Sequence, residues 1–120
     1  MKPESKLWQL VKKNITAVHW TRLESWAMPG VPDVYGIQEG VSVFVELKVT
    51  KSNKITFSPH QIAFHVKHPT RTWILVQAHD ACAPKLFPGS AIRDLCACGL
   101  ASLSACTLAS WSELERLLIA

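Results

Sequence analysis

A chain of 120 residues, 48% apolar and 18% charged, can bury one real core but not two, so one domain over 1–120 is expected. Lysine and arginine outnumber aspartate and glutamate by 13 to 9, a formal charge of +4 that favours polyanionic partners. The four cysteines, Cys82, Cys96, Cys98 and Cys106, lack paired CxxC spacing, and no secretory leader precedes them. A zinc knuckle and a disulfide framework are therefore disfavoured, and buried free thiols are expected. Leu95 to Ser112 is uncharged, but Gly99, Thr107 and four serines make it a poor hydrocarbon segment. It reads as buried core or a subunit contact, with no membrane partner.

In chain order, Leu7, Trp8, Val11 and Ile15 recur at helical spacing and predict an amphipathic helix over residues 3–14, with Lys12 and Lys13 near its end. Glu4 precedes Leu7 and Trp8 by three and four positions, which puts an acid on the core-facing side of the first turn. Ala17 to Glu24 reads as a strand rich in β-branched and aromatic residues, with Val18, Trp20, Arg22 and Glu24 on one face. A loop around Met28-Pro29-Gly30 follows, and Pro32 forces Val31 into an extended conformation.

Val34–Ile37 and Val41–Val49 are two strands of a hairpin, with Gly40 able to take the positive φ of a tight reversal. After the basic loop Lys51 to Lys54, Ser58 can cap a helix, Pro59 suits its first position, and Gln61 completes a capping box. The helix runs to about His68. Gln61, His65 and His68 share one side of it, which is expected to be an ordinary polar face. Thr72 to Ala78 is a continuous apolar run, as in a central strand buried on both faces. Beyond it, Pro88–Cys98 is predicted as a helix and Cys106–Leu108 as a short strand. A closing helix, capped by Ser110 with Glu113, ends at Leu117-Leu118. The expected architecture is α/β: a mixed sheet of four or five strands, helices on both faces, in the order α-β-β-β-α-β followed by helical elements.

Strand alternation puts Ser42, Phe44, Glu46, Lys48 and Thr50 on one face of their strand, so Glu46 and Lys48 are neighbours. If the hairpin closes through Glu39-Gly40, Gln38 pairs with Val41 and Asp33 falls opposite Glu46, their Cβ atoms about 5 Å apart. A three-residue loop with a bulge at Gly40 would offset the pair by one residue. Two facing carboxylates repel and are costly to bury unpaired, so a cation between them is the best-tolerated solution. Oxygen donors suit a hard ion, Mg²⁺ or Mn²⁺, with the Leu47 carbonyl available as a further ligand. Such an ion polarises a phosphodiester and activates a water, while the Lys48 ammonium can orient that water or stabilise the phosphorane. The alternative for Glu46 and Lys48 is an ion pair on a half-solvated strand.

Pro32-Asp33, twelve residues, then Glu46-Leu47-Lys48 resembles the PD-(D/E)xK nuclease signature. With Gly30-Val31-Pro32-Asp33-Val34-Tyr35, Val45-Glu46-Leu47-Lys48 and Ser58-Pro59-His60-Gln61, the text is similar to the VRR-NUC group and small phage-type nucleases related to Holliday-junction resolvases. The match covers roughly residues 3–78, and nothing after Ala78 fits a motif. The resemblance implies a restriction-endonuclease-like core and a Mg²⁺-dependent DNA endonuclease in the cytoplasm of a bacterial or phage-infected cell, without an organic cofactor. It implies Asp33 and Glu46 as metal ligands and Lys48 as the catalytic lysine. Gln61 matches the glutamine that helps place the substrate. Glu4 or Glu24 would be the third acid.

Lys51, Lys54 and Arg71 flank the site and are expected to contact phosphates, with Lys12, Lys13 and Ser58 as further DNA contacts. One site cuts one strand, so symmetric cleavage of a branched substrate calls for a homodimer, with the charge-poor C-terminal region as the expected interface. The competing readings are a sequence-specific restriction or homing endonuclease, and a basic DNA-binding module that does not use its site.

Overall fold

Of the 120 residues, the computed structural model describes 3–23, 30–78, 84–101 and 111–119. The apolar spacing at the start produces α1 (Pro3–Asn14), with the predicted bounds. Leu7, Trp8, Val11 and, just beyond the helix, Ile15 are buried, each side chain contributing roughly 1.5–3 kcal/mol through its removal from water. Glu4 in the first turn and Lys12 and Lys13 in the last complement the helix dipole.

Strand β1 (His19–Arg22) is shorter than the predicted Ala17–Glu24, because its ladder on β2 (Val34–Gln38) stops where Arg22 meets Val34, the first residue of that strand. Glu24 lies outside the described residues. The chain reverses from β2 into β3 (Val41–Thr50) through Glu39 and Gly40, whose φ angles of 46° and 81° are both positive, as a type I′ turn requires. The register from Gln38↔Val41 to Val34↔Val45 is that of the two-residue closure, without the bulge that would have shifted it.

Ser58 caps α2 (Pro59–Lys67), Pro59 sits at its first position, and the box with Gln61 is formed. Strand β4 (Thr72–Ala78) then returns parallel to β3. Strand β5 (Lys85–Pro88), antiparallel to β4, was not anticipated. Pro88 closes this strand instead of opening a helix. As an edge strand, β5 tolerates a proline that a central strand would not. A 3-10 turn (Gly89–Ala91) and α3 (Ile92–Cys98) account for the rest of the predicted Pro88–Cys98 helix, and a second 3-10 turn (Gly99–Ala101) follows. The last described element is α4 (Trp111–Ile119). The expected strand at Cys106–Leu108, the cap at Ser110 and residues 102–110 of the charge-poor Leu95–Ser112 segment lie outside the described residues.

The five strands form one mixed sheet in the order β1-β2-β3-β4-β5, flanked by helices on both faces. On one face Leu7 and Val11 of α1 and Leu114 and Leu118 of α4 pack with Val43, Val45, Leu47 and Leu75. On the other, Ile62 of α2 and Ile92 and Leu95 of α3 pack with Ile74, Val76 and Phe87. Cys96 and Cys98 are exposed, contrary to the expected buried thiols, because Ile92 and Leu95 take the inward side of α3. Among the described residues, no helix is long and apolar enough to cross a membrane.

Candidate active site

The even residues of β3, from Phe44 to Lys48, project toward α2, and this places Glu46 and Lys48 between the sheet and that helix. Glu46 is 2% exposed. Asp33 enters from the loop before β2, one step beyond the last ladder pair Val34↔Val45. Its Oδ2 accepts a 2.8 Å hydrogen bond from the Leu47 amide, and its main-chain carbonyl accepts another from Leu23 N. The Asp33 carboxyl therefore takes the place of a β2 carbonyl on β3, which fixes it beside Glu46. Since the N–H and C=O of one strand residue face the same neighbour, the Leu47 carbonyl is turned to the Asp33 side as well.

Gly30 sets the approach of this loop to α2. A Cβ there would lie 2.4 Å from the His60 carbonyl oxygen, so only glycine lets the GxPD segment pack against the start of the helix.

Gln61 joins the parts together. Its Nε2 donates to Glu46 Oε2 at 3.3 Å, and its Oε1 accepts from Lys48 Nζ at 3.1 Å and from the Ser58 amide at 2.9 Å. One side chain thus serves the capping box and the acid-lysine pair together. The Lys48 ammonium also lies 5.0 Å from the centre of the Phe57 ring, a cation–π contact that the sequence reading missed.

Burial raises the Glu46 carboxyl from its ordinary value to about 10, helped by its hydrogen bond to Asp33, by the Asp33 charge and by the Glu4 charge, with Lys48 pulling the other way. In the absence of a cation, Glu46 therefore holds a proton at neutral pH. Glu4 is exposed at the start of α1, one turn before the buried Leu7 and Trp8 on the same side of the helix. Its charge nevertheless reaches Glu46.

The donor set fits a hard divalent ion. It offers two adjacent carboxyls, the unpartnered buried Glu46 Oε1, and a main-chain carbonyl on the same side. Among the described residues no group of three or more His, Cys, Asp or Glu side chains is gathered to hold an ion. Asp33 and Glu46 would hold one only loosely, leaving positions for water and phosphate oxygens, as Mg²⁺ prefers.

The basic residues expected around the site divide into two groups. Lys51 and Lys54 are exposed in the turn after Thr50, and Arg71 is exposed at the other end of β3, where its carbonyl accepts from Phe44 N at 3.0 Å. They bracket Glu46 and Lys48 along the strand. Ser58, also exposed, lies at the mouth of α2. Lys12 and Lys13 are exposed on α1, which covers the opposite sheet face, about 12 Å along the helix from Glu4.

Near Arg71, a cavity of about 270 Å³ is lined by Phe44, Phe64 and His68. His65 corrects the expected polar face of α2: it is fully buried, and its Nε2 lies 4.0 Å from Glu46 Oε1. Its spacing of one turn from Gln61 was the only signal in the sequence.

No family model matches the chain, and no curated protein does. Among solved structures, it is similar to Hjc of Archaeoglobus fulgidus, described as a Holliday junction resolvase from an archaeal hyperthermophile. The TM-score is 0.53 at 17% identity, over 72% of this chain and 74% of that one. The chain shares the α/β fold of that resolvase, a mixed sheet with helices on both faces.

Proposed function

We propose that this chain is a divalent-metal-dependent DNA endonuclease, one domain over 1–120, selective for branched or junction DNA. The observation that carries the reading is the meeting of three groups at β3, where Gln61 joins Glu46 to Lys48 and the Leu47 amide holds Asp33 beside them. The fold shared with a Holliday junction resolvase supports it, and the resemblance to PD-(D/E)xK nucleases implies the same residues in the catalytic roles.

In this reading Asp33 and Glu46 are the ligands, with the Leu47 carbonyl and the Glu4 charge beside them. A bound Mg²⁺ or Mn²⁺ supplies Lewis acidity toward the phosphodiester and its attacking water. Asp33 is held in place by the Leu47 amide, so the site does not have to organise itself as substrate arrives. Gln61 keeps the Lys48 ammonium beside Glu46, where it orients the water and offsets charge building on phosphorus. Lys51, Lys54 and Arg71 follow the phosphate backbone on either side of that point, over the roughly 20 Å that β3 spans between Phe44 and Thr50.

Cleaving two strands of a junction symmetrically requires a two-fold dimer, which gel filtration would test: junction cleavage by a strict monomer contradicts the dimer. The reading itself is tested on labelled four-way junctions, flaps and random duplex, in Mg²⁺, Mn²⁺ or EDTA, with the wild type and Lys48→Ala. Mg²⁺-dependent nicking of branched substrates that Lys48→Ala loses is expected. Cleavage of one duplex sequence would point to a restriction-type enzyme, and tight binding without cleavage to a DNA-binding module.

A further inference from the structure

The two oxygens of the Glu46 carboxyl have different surroundings. Oε2 accepts from Gln61, whereas Oε1 is buried with no hydrogen-bond partner. Facing it at 4.0 Å is Nε2 of His65, a side chain with no exposed surface and no hydrogen bond at either nitrogen. Leaving such buried groups unpaired is costly, so three of them in one place call for a purpose.

The fold also makes room for the ring. A Cβ on Gly89 would lie 2.8 Å from His65 Nδ1 and 2.2 Å from Thr72 Oγ1, so the segment leaving β5 carries no side chain where the imidazole passes. An apolar residue would fill this space without unpaired atoms, yet the chain puts an imidazole there, one turn from Gln61.

We propose that His65 is a positioning residue that donates from Nε2 to Glu46 Oε1 when the carboxyl is ionised and shared with a divalent cation. The proposal rests on the reading of Asp33 and Glu46 as metal ligands. The proton is assigned to Nε2 because that nitrogen faces the carboxyl. A shift of about 1 Å closes the 4.0 Å gap to hydrogen-bond length. Gln61 and His65 then hold the two oxygens from one helix and fix the plane of the carboxylate. Outer partners of this kind typically change metal affinity by about 10–100-fold.

The test is calorimetric titration of the DNA-free protein with Mn²⁺, alongside its melting temperature in EDTA. His65→Leu fills the space without a donor. It should bind Mn²⁺ about 10–100-fold more weakly, while its metal-free melting temperature stays equal or rises, since unpaired polar atoms have been removed. His65→Gln, whose amide nitrogen reaches the depth of Nε2, should bind within a few-fold of wild type. Wild-type affinity in His65→Leu, with Asp33→Asn no longer binding, overturns the role of His65 and leaves the metal site standing. Absence of Mn²⁺ binding by the wild type, or undiminished binding by Asp33→Asn, overturns the metal site and this proposal together. If His65→Leu does not fold, His65→Asn replaces it. Its amide falls short of the carboxyl, so weaker binding by Asn than by Gln supports the proposal and equal binding overturns it.

Discussion

The Leu47 amide donates a 2.8 Å hydrogen bond to Asp33 Oδ2, and this bond ties the loop acid to the strand that carries Glu46. An asparagine at 33 keeps an acceptor for that amide but removes one of the two adjoining carboxyls. Because Glu46 already holds a proton without a cation, Asp33→Asn should leave the metal-free stability within about 1 kcal/mol of wild type, while abolishing Mg²⁺-dependent cleavage. Thermal melts in EDTA and a nicking assay on the same preparation check both halves.

The pH dependence of stability follows from two groups with opposite signs. Glu46 is raised to about 10, so between the ordinary 4.5 and about 10 the folded chain holds a proton that the unfolded chain releases, and stability falls as pH rises. His65 is lowered, chiefly by burial, to about 4. Between about 4 and the ordinary 6.5 the unfolded chain takes up a proton that the folded chain refuses, and stability falls as pH drops. Above pH 6.5 only the Glu46 slope remains. In EDTA the melting temperature should decline from pH 6.5 to 8.5, millimolar Mn²⁺ should remove the decline by taking the proton's place, and Glu46→Gln should flatten it. A flat wild-type profile would refute the protonated Glu46 of the metal-free fold.

Much of this arrangement could be read from the sequence because it depends on local rules. Helical spacing bounds α1, alternation assigns the faces of β3, and the Glu39-Gly40 reversal fixes the register that brings Asp33 to Glu46. Strand β5 was missed because Lys85-Leu86-Phe87-Pro88 is too short to show a period, and its proline imitates a helix start. His65 was misjudged because its burial comes from β4 and the glycine turn after β5, far along the chain. Cys96 and Cys98 looked like core by composition, but the inward side of α3 was already taken by Ile92 and Leu95.

Ser58 and Gln61 separate capping from catalysis. Ser58→Ala removes only the cap, at about 1 kcal/mol, and should leave cleavage within a few-fold. Gln61→Ala keeps the Ser58 side-chain cap but loses the reciprocal bond from Ser58 N and both contacts to Glu46 and Lys48, so its turnover should drop at least tenfold further than that of Ser58→Ala at saturating DNA. Equal turnover in the two variants would confine Gln61 to the cap.

Arg71, Lys51 and Lys54 are expected to act through phosphate charge. Alanine at each should weaken binding to all DNA sequences alike and lower the slope of log affinity against log salt by about 1. Fluorescence anisotropy across a salt series measures it. An unchanged slope for Arg71→Ala would take that end of β3 off the DNA path.

In the proposed mechanism Lys48 serves the reaction more than the fold. Lys48→Met keeps an unbranched side chain of similar length and removes the ammonium that lies over Phe57. It should cut the rate by on the order of 10²–10³-fold, as loss of a charge-stabilising donor does, with junction affinity nearly intact. Single-turnover kinetics would show this directly.

The most direct test is the Mg²⁺-dependent nicking of a labelled four-way junction by wild type and Asp33→Ala, with junction binding measured in parallel. The account predicts wild-type nicking in Mg²⁺ and none in EDTA, and an Asp33→Ala variant that binds the junction without cutting it. Nicking by Asp33→Ala at the wild-type rate, or wild-type nicking that persists in EDTA, would contradict it.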